Sequence, residues 1–406
     1  MESMDTNVSI SEGENQNFQL ERLEKEMVLQ NIGGIIFVSL LMIVGLGGNS
    51  VAIFVYLRKY KQSSYRTFIV SLAIVDLATC CAPMMIVVLG LIYPISLFSI
   101  WACKMGSFLI YSMCIGSSAI LVTIAGERYR KICVPHGMQL SARMSKYICI
   151  FDVVLGIVLA LPAAVLYGNK SVRNGLNKSV GSECGFSDDF QNTKYPVYFK
   201  TSFLLFVFAT LIALSSIYAL IGKQIFRMKK SLSRRPQNNI LESDMANIEF
   251  HPCNCSHREE EVNGEIVQNI CHNKPDIYRI SKKPNGQETQ PDESKGERHA
   301  FRERGRDQND ERKQNKMVAV TRVFFIITLV YFCSFVPPFA LGFAAFLNKE
   351  FTPSLSFAGT VAYQMFRWTF FINNIANPII YAVYDKKFMG EVRVLCRSFL
   401  GCCLKI

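Results

Sequence analysis

Seven blocks of this chain are long, apolar and almost free of charge, and they limit its fold more than any other feature. Asn31–Leu57 runs for 27 residues without Asp, Glu, Lys or Arg, and Met105–Gly126, Thr201–Gly222 and Val323–Asn348 are likewise charge-free. Thr67–Tyr93 and Tyr147–Gly168 hold one charged residue each, Asp76 and Asp152, and Phe351–Tyr384 holds only Arg367. A helix that crosses a bilayer needs about 20 mostly apolar residues, so each block predicts one crossing. The expected fold is an all-α membrane protein, a bundle of seven transmembrane helices. Only 19% of the 406 residues are charged and 50% are hydrophobic, against about 25% charged in soluble domains. That composition excludes a soluble enzyme, a secreted disulfide scaffold and a single-anchor protein.

The loops predict an orientation. Arg58, Lys59, Lys61 and Arg66 follow the first span, and Arg130, Lys131, Arg143 and Lys146 follow the third. Lys223, Arg227, Lys229, Lys230, Arg234 and Arg235 follow the fifth, whereas Ile92–Ala102 holds no basic residue. By the positive-inside rule the odd-numbered loops are cytoplasmic, so the N-terminus is expected outside and the C-terminus inside. The net charge of +12 then labels the cytoplasmic face, and nucleic acid is not an expected partner. The acidic start lacks the basic opening and short apolar core of a cleavable signal peptide, so the first span is expected to be its own signal-anchor. Asn7, Asn169 and Asn177 open glycosylation sequons on the external side. Asn254 opens one on the cytoplasmic side, where it should stay unmodified.

The expected organisation is an external acidic tail (1–30), spans one to five with their loops (31–226), a third cytoplasmic loop (227–316), spans six and seven (317–384), and a short amphipathic eighth helix with the tail (385–406). The third loop mixes 18 basic with 16 acidic residues and has few bulky apolar ones. It offers too little apolar surface to offset chain ordering, which predicts disorder. His251, Cys253, Cys255, His257, Cys271 and His272 within it have metal-ligand chemistry but match no common zinc spacing. Reduced thiols are the expected state in a cytosolic segment.

Polar side chains inside a span are costly and mark functional candidates. Here they are Asn49, Asp76, Ser117, Asn373, Asn374 and Asn377. Their oxygens can converge on a hard monovalent cation or form separate interhelical hydrogen bonds of about 1 kcal/mol each; spacing alone leaves both readings open. Glu127-Arg128-Tyr129 ends the third span, where an arginine can reach the interface and pair with its acidic neighbour. Pro162, Pro337, Pro338 and Pro378 each remove a backbone hydrogen bond and permit a hinge. Together with buried polar groups they favour a bundle that changes shape.

In this order and spacing the motifs resemble the rhodopsin-like (class A) G-protein-coupled receptors over nearly the whole chain. Asn49 follows Gly47 and Gly48 as in the family's first helix, and Ser71-Leu72-Ala73-Ile74-Val75-Asp76-Leu77 is similar to its second. Cys103 stands 25 residues before Arg128, and Asn377-Pro378-Ile379-Ile380-Tyr381 matches the family's Asn-Pro-x-x-Tyr element. Phe388 follows in the eighth helix, whose stripe Phe388, Val392, Leu395 and Phe399 suits a helix lying on a membrane.

The resemblance implies a plasma-membrane receptor, not an enzyme, that binds an external ligand and activates a heterotrimeric G protein as the sixth helix swings outward. Arrestin and receptor kinases would be further partners. It implies a disulfide between Cys103 and Cys184, and an allosteric sodium ion at Asp76, Ser117, Asn373 and Asn377 with no required cofactor. Glu127, Arg128 and Tyr129 take the ionic-lock role, with Arg128 contacting the G protein. Tyr218, Tyr331, Phe335, Pro337, Asn377, Pro378 and Tyr381 become activation switches, and Cys396, Cys402 and Cys403 palmitoylation candidates.

Departures from the family pattern bear on the ligand. Where the family carries Cys-Trp-x-Pro, this chain reads Ser334-Phe335-Val336-Pro337; Thr210 stands in place of a proline in the fifth helix, and the fourth lacks its tryptophan. Ile110 occupies the position of the aspartate of amine receptors, and Phe371 that of the retinal-binding lysine of opsins, which argues against both ligands. On helical counting the outer half is lined by Ile110, Tyr111, Cys114, Lys200, Gln364, Arg367 and Trp368. Arg367 can hold a carboxylate bidentately or pair with Glu183 or Asp188 of the second external loop. That loop, centred on Cys184, is comparable with the hairpin-forming loops of peptide receptors. A neuropeptide-type ligand is the expectation, with a small anionic or lipid ligand, or an orphan receptor with high basal signalling, as alternatives. A secondary transporter would show internal repeats, and the seven spans show none.

Overall fold

The computed structural model describes residues 2–95, 100–173, 179–233, 293–348 and 350–403. In chain order the elements are α1 (Glu2–Lys59), α2 (Ser64–Cys81), α3 (Pro83–Ile92), α4 (Ile100–Cys133), α5 (Ala142–Leu166), β1 (Tyr167–Arg173), β2 (Ser179–Phe186), the single turn α6 (Asp188–Gln191), α7 (Tyr195–Ser233), α8 (Glu293–Leu347), α9 (Phe357–Arg367), a 3-10 turn (Thr369–Phe371), α10 (Ile372–Tyr384) and α11 (Lys386–Cys403). Every charge-poor block is helical over most of its length. Among the described residues six spans are long and apolar enough to cross a membrane as helices, with α2 and α3 forming one of them. The seventh is assembled from α9, the 3-10 turn and α10. These spans belong to one compact unit, Met1–Met228 with Lys313–Ile406, while Lys229–Arg312 form a second.

Two spans break, and neither break falls at a proline singled out above. The hydroxyl of Ser63 caps α2 by accepting from Arg66 N at 3.2 Å. That helix ends at Ala82 because Pro83 has no amide hydrogen to continue the ladder; α3 restarts with Pro83 in its first turn, where the missing donor is no loss. In the seventh span the break falls at Trp368, and Pro378 lies inside α10. Thr369 Oγ1 shares its hydrogen between Phe366 O and Ser334 O, each at 3.0 Å, tying the break to α8. Pro162, Pro337 and Pro338 are carried within continuous helices.

The segment expected to be disordered is helical at both ends, since α7 runs to Ser233 and α8 begins at Glu293. Lys, Arg, Glu and Gln are good helix formers, and they propagate a helix that the apolar span has already nucleated. The His251–His272 cluster and Asn254 lie outside the described residues.

Beside a smaller apolar cluster around Val38, Met84 and Phe371, the interior holds one large apolar core. Phe68 and Leu72 of α2, Ile120 and Ile124 of α4, Leu214 of α7, Phe324 and Ile327 of α8 and Tyr381 of α10 are all buried in it. Outward faces carry exposed Ile43, Phe151, Val158, Leu205, Ile212 and Leu329, an apolar girdle that suits lipid rather than water. α4 and α5 pack backbone to backbone, where a Cβ on Gly156 would lie 2.5 Å from Ser112 O and 2.7 Å from Gly116 N. Small residues are what let membrane helices close so far. Beside this contact, Thr123 Oγ1 donates to Asp152 Oδ2 at 2.9 Å, so the intramembrane acid of α5 is satisfied by α4.

Candidate functional site

At the outer end β1 and β2 form an antiparallel hairpin in which Asn169 faces Cys184 and Lys170 faces Glu183. Cys184 is disulfide-bonded to Cys103 near the start of α4, with Cα atoms 5.4 Å apart, so the hairpin is held at the mouth of the bundle. A cavity of about 400 Å³ opens there, with Tyr167, Glu183 and Cys184 of the hairpin in its wall and Phe335, Phe339 and Phe370 deeper in. Six of the seven side chains expected from helical counting line it: Ile110, Tyr111, Cys114, Gln364, Arg367 and Trp368. Lys200 does not, because its ammonium is drawn 4.8 Å over the ring of Phe186 on β2, a partner that counting along one helix cannot reveal. Met27 and Asn31 also line the cavity; Asn31 opens the first charge-free block, and Met27 comes from the outward continuation of α1 beyond it.

Polar groups in this cavity are unevenly satisfied. Tyr111 and Tyr167 hydroxyls pair at 3.0 Å, and burial holds the Tyr167 hydroxyl protonated above its ordinary range. Glu183 is taken by Lys170 at 2.5 Å, and Asp188 accepts from Ser171 N at 3.1 Å. Neither forms an ion pair with Arg367, whose guanidinium instead lies 5.3 Å over the Trp368 ring. Gln364 Oε1 and Trp368 Nε1 are buried without a hydrogen-bond partner.

Deeper in the bundle, Asp76 is fully buried and accepts from Asn374 Nδ2 at 2.8 Å and Asn377 Nδ2 at 2.6 Å, one on each carboxylate oxygen. Asn373 Nδ2 approaches Ser117 Oγ at 3.5 Å, and Asn49 Nδ2 bridges Gly45 O and Asn374 O at 3.0 and 2.9 Å. The side-chain oxygens of Asn49, Asn373 and Asn377 are buried and unpaired. A buried carboxylate with a hydroxyl and orphaned amide oxygens near it is a donor set suited to a hard cation, so the residues fit the sodium ion that the sequence resemblance implies. Asn374, absent from that expected set, is the carboxylate's second anchor.

Between these two zones Ser118 Oγ and Tyr331 Oη lie 2.7 Å apart and join α4 to α8. Phe335 packs on Tyr331, Phe339 and Phe370 at ring separations of 4.8, 5.9 and 6.0 Å, one turn above that bond and at the floor of the cavity. Thr210 turns its hydroxyl back onto Phe206 O at 2.9 Å, and Tyr218 meets the edge of Phe325 at 5.4 Å.

At the inner end Glu127 and Arg128 form a buried ion pair, and Lys131 adds a second cation to Glu127 at 2.5 Å. The Arg128 contact to α8 is aromatic: the guanidinium lies 5.3 Å over Phe324, and among the described residues no acid of α8 pairs with it. Tyr129 packs against the edge of the core. Tyr381 is buried against Tyr56 and Phe388 at 5.5 and 6.1 Å. Here sequence reasoning missed a cluster. Asp385, between α10 and α11, accepts from the hydroxyls of Tyr56, Tyr60 and Tyr65 at 3.0, 2.7 and 3.4 Å on one oxygen. Its other oxygen caps α11 at Lys387 N and Phe388 N, both 3.1 Å away. Burial, and then the bond to Asp385, hold the Tyr60 hydroxyl protonated well above its ordinary range. The available signals were an aspartate just before an amphipathic helix and two tyrosines four residues apart.

Among the modification candidates, Asn169 and Cys396 are exposed. The side chains of Asn7, Asn177, Phe399, Cys402 and Cys403 lie outside the described residues.

Residues 48–381 match the family described as 7 transmembrane receptor (rhodopsin family). Among solved structures the chain is similar to squid rhodopsin, with a TM-score of 0.60 and 16% identity over 91% of this chain and 81% of that one. At that identity the likeness speaks for the fold. No curated protein matches the sequence.

Proposed function

The chain belongs to the rhodopsin family of seven-transmembrane receptors, and from that premise we propose that its external ligand is a peptide and that it drives a heterotrimeric G protein through an outward movement of α8. Members of this family are multi-pass plasma-membrane receptors rather than enzymes, working between an extracellular ligand and a G protein. The peptide reading rests on the cavity wall, which leaves the bundle and continues onto the hairpin at Tyr167 and Glu183 and onto α1 at Met27 and Asn31. A volume of about 400 Å³ is near the lower end for ligand pockets. The end of a peptide would enter it and the remainder lie across the hairpin.

Three parts of the reading follow the expectations above. The N-terminus is external and the C-terminus cytoplasmic, with arrestin and receptor kinases as further partners. Sodium at Asp76, Ser117, Asn373 and Asn377 favours the inactive arrangement, with Asn374 holding the carboxylate from one side. In that arrangement Arg128 stays between Glu127 and Phe324, and movement of α8 removes the ring and frees the guanidinium for the G protein. The test is a screen of the expressed receptor against a peptide library with several G-protein readouts. Activation by a peptide that a labelled derivative shows bound at the hairpin supports the reading; a library without agonists, alongside activation by non-peptide ligands, counts against it.

A further inference from the structure

Resting on the reading of the outer cavity as the ligand site, we propose that the ligand carries a carboxylate and that Arg367 receives it. Arg367 and Glu183 are the charged side chains that line this cavity. Lys170 neutralises Glu183 across the hairpin at 2.5 Å, which leaves the guanidinium, among the described residues, as the charge in this mostly apolar and aromatic wall that has no acidic partner. A second cation, Lys200, lies near the rim over Phe186. Stacking on Trp368 at 5.3 Å holds the planar fork in place before any ligand arrives, so less side-chain freedom is lost when a carboxylate docks.

Two neighbours narrow the chemistry further. Gln364 and Trp368 line the same cavity as Arg367, and each has a buried polar atom with no partner: an amide oxygen that needs a donor and an indole N–H that needs an acceptor. Buried polar groups are normally paired. A peptide unit supplies an N–H for Gln364 and a C=O for Trp368, and a free C-terminus supplies the anion for Arg367. A fatty acid supplies the anion alone. The ligand chemistry is therefore an apolar body ending in a carboxylate, and a peptide with an unamidated C-terminus meets all three groups.

The test uses the full-length receptor and two probe sets: short peptides with apolar C-terminal residues, each made as free acid and as amide, and straight-chain fatty acids with their matching alcohols. Half-saturation is read from ligand-dependent thermal stability and from G-protein activation. Free acids are expected to bind at least about tenfold more tightly than their uncharged partners. Arg367→Gln should collapse that preference to less than about twofold, and Arg367→Lys should retain part of it; surface expression and unliganded stability check that both variants fold. Binding by fatty acids but not by peptides would support the carboxylate anchor and overturn the peptide reading. Amides that bind as well as acids would overturn the anchor and leave the peptide reading standing. Wild-type receptor that binds no acid of either kind, or an acid preference that survives in Arg367→Gln, also overturns it.

Discussion

Ser118 on α4 and Tyr331 on α8 share a buried hydroxyl–hydroxyl bond of 2.7 Å, set between the aromatic floor of the outer cavity and the arginine at the inner end. Any outward displacement of α8 must stretch or break it. Tyr331→Phe keeps the ring that packs on Phe335 at 4.8 Å and removes only the bond. Ser118 is then left with its second acceptor, Cys114 O at 2.6 Å, so no buried donor is orphaned. Tyr331→Phe should lower stability by about 0.5–1.5 kcal/mol, and Ser118→Ala, which leaves the buried Tyr331 hydroxyl without this partner, by about 1–3 kcal/mol; each should raise ligand-free G-protein activation, and the double variant should cost no more than Ser118→Ala alone. Additive effects in the double variant would show that the two hydroxyls do not act through each other.

Asp76 is the centre of the second prediction. Its carboxylate has an amide donor on each oxygen, from Asn374 and Asn377. If a cation completes the site, wild-type receptor should melt at a higher temperature in sodium chloride than in choline chloride at equal ionic strength. Asp76→Asn should abolish that difference. Asn374→Ala removes one of the two donors and should destabilise by about 1–3 kcal/mol whichever salt is present. A wild-type melting point indifferent to sodium would remove the ion from the proposal and leave a hydrogen-bonded carboxylate.

How far these sites were legible in the sequence depends on whether their signal is local. The spans were readable because hydropathy is a property of consecutive residues, and Asp76 because a charge in an apolar block needs no neighbour to be noticed. Asn373 and Asn374 show the limit. Adjacent helical residues point about 100° apart, and three-dimensional packing sends Asn374 to Asp76 and Asn373 to Ser117. The prolines make the same point: Pro83 ends a helix, while Pro378 is absorbed within one. Arg367 could be placed in the cavity by counting, but only the hairpin register shows that Glu183 is already engaged by Lys170. Asp385 left almost no trace, because its three tyrosine partners are more than 300 positions away.

That aspartate supports a third prediction. It joins the inner ends of α1 and α2, through Tyr56, Tyr60 and Tyr65, to the start of α11. Asp385→Ala removes a helix cap, costing about 1 kcal/mol, and leaves the buried Tyr56 hydroxyl without this acceptor, costing about 1–3 kcal/mol more. Hydrogen exchange should rise in α11 and at the inner end of α1, with ligand binding at the outer cavity little changed. Asp385→Asn keeps one acceptor oxygen and should fall between the two. Protection of α11 unchanged in Asp385→Ala would mean that the helix is held by its apolar stripe, Phe388, Val392 and Leu395, without the cap.

Gly156 carries the last prediction, because it separates close helix packing from mere tolerance of small residues. A Cβ there meets backbone atoms of α4, Ser112 O at 2.5 Å and Gly116 N at 2.7 Å. Backbone cannot turn aside as a flexible side chain can, so α4 and α5 would have to separate. Across the same contact, a Cβ on Gly116 meets Val153 Cα at 3.5 Å, an ordinary van der Waals distance. Gly156→Val should therefore cost about 1–3 kcal/mol or more through overpacking and sharply reduce surface expression, whereas Gly116→Ala should express normally and melt within about 1 kcal/mol of wild type. The contrast is informative because both changes add bulk to one helix pair in membrane. Equal behaviour of the two variants would mean that α4 and α5 sit farther apart in the bilayer than these distances imply, and that the hydrogen bond from Thr123 to Asp152, rather than glycine contact, sets their spacing.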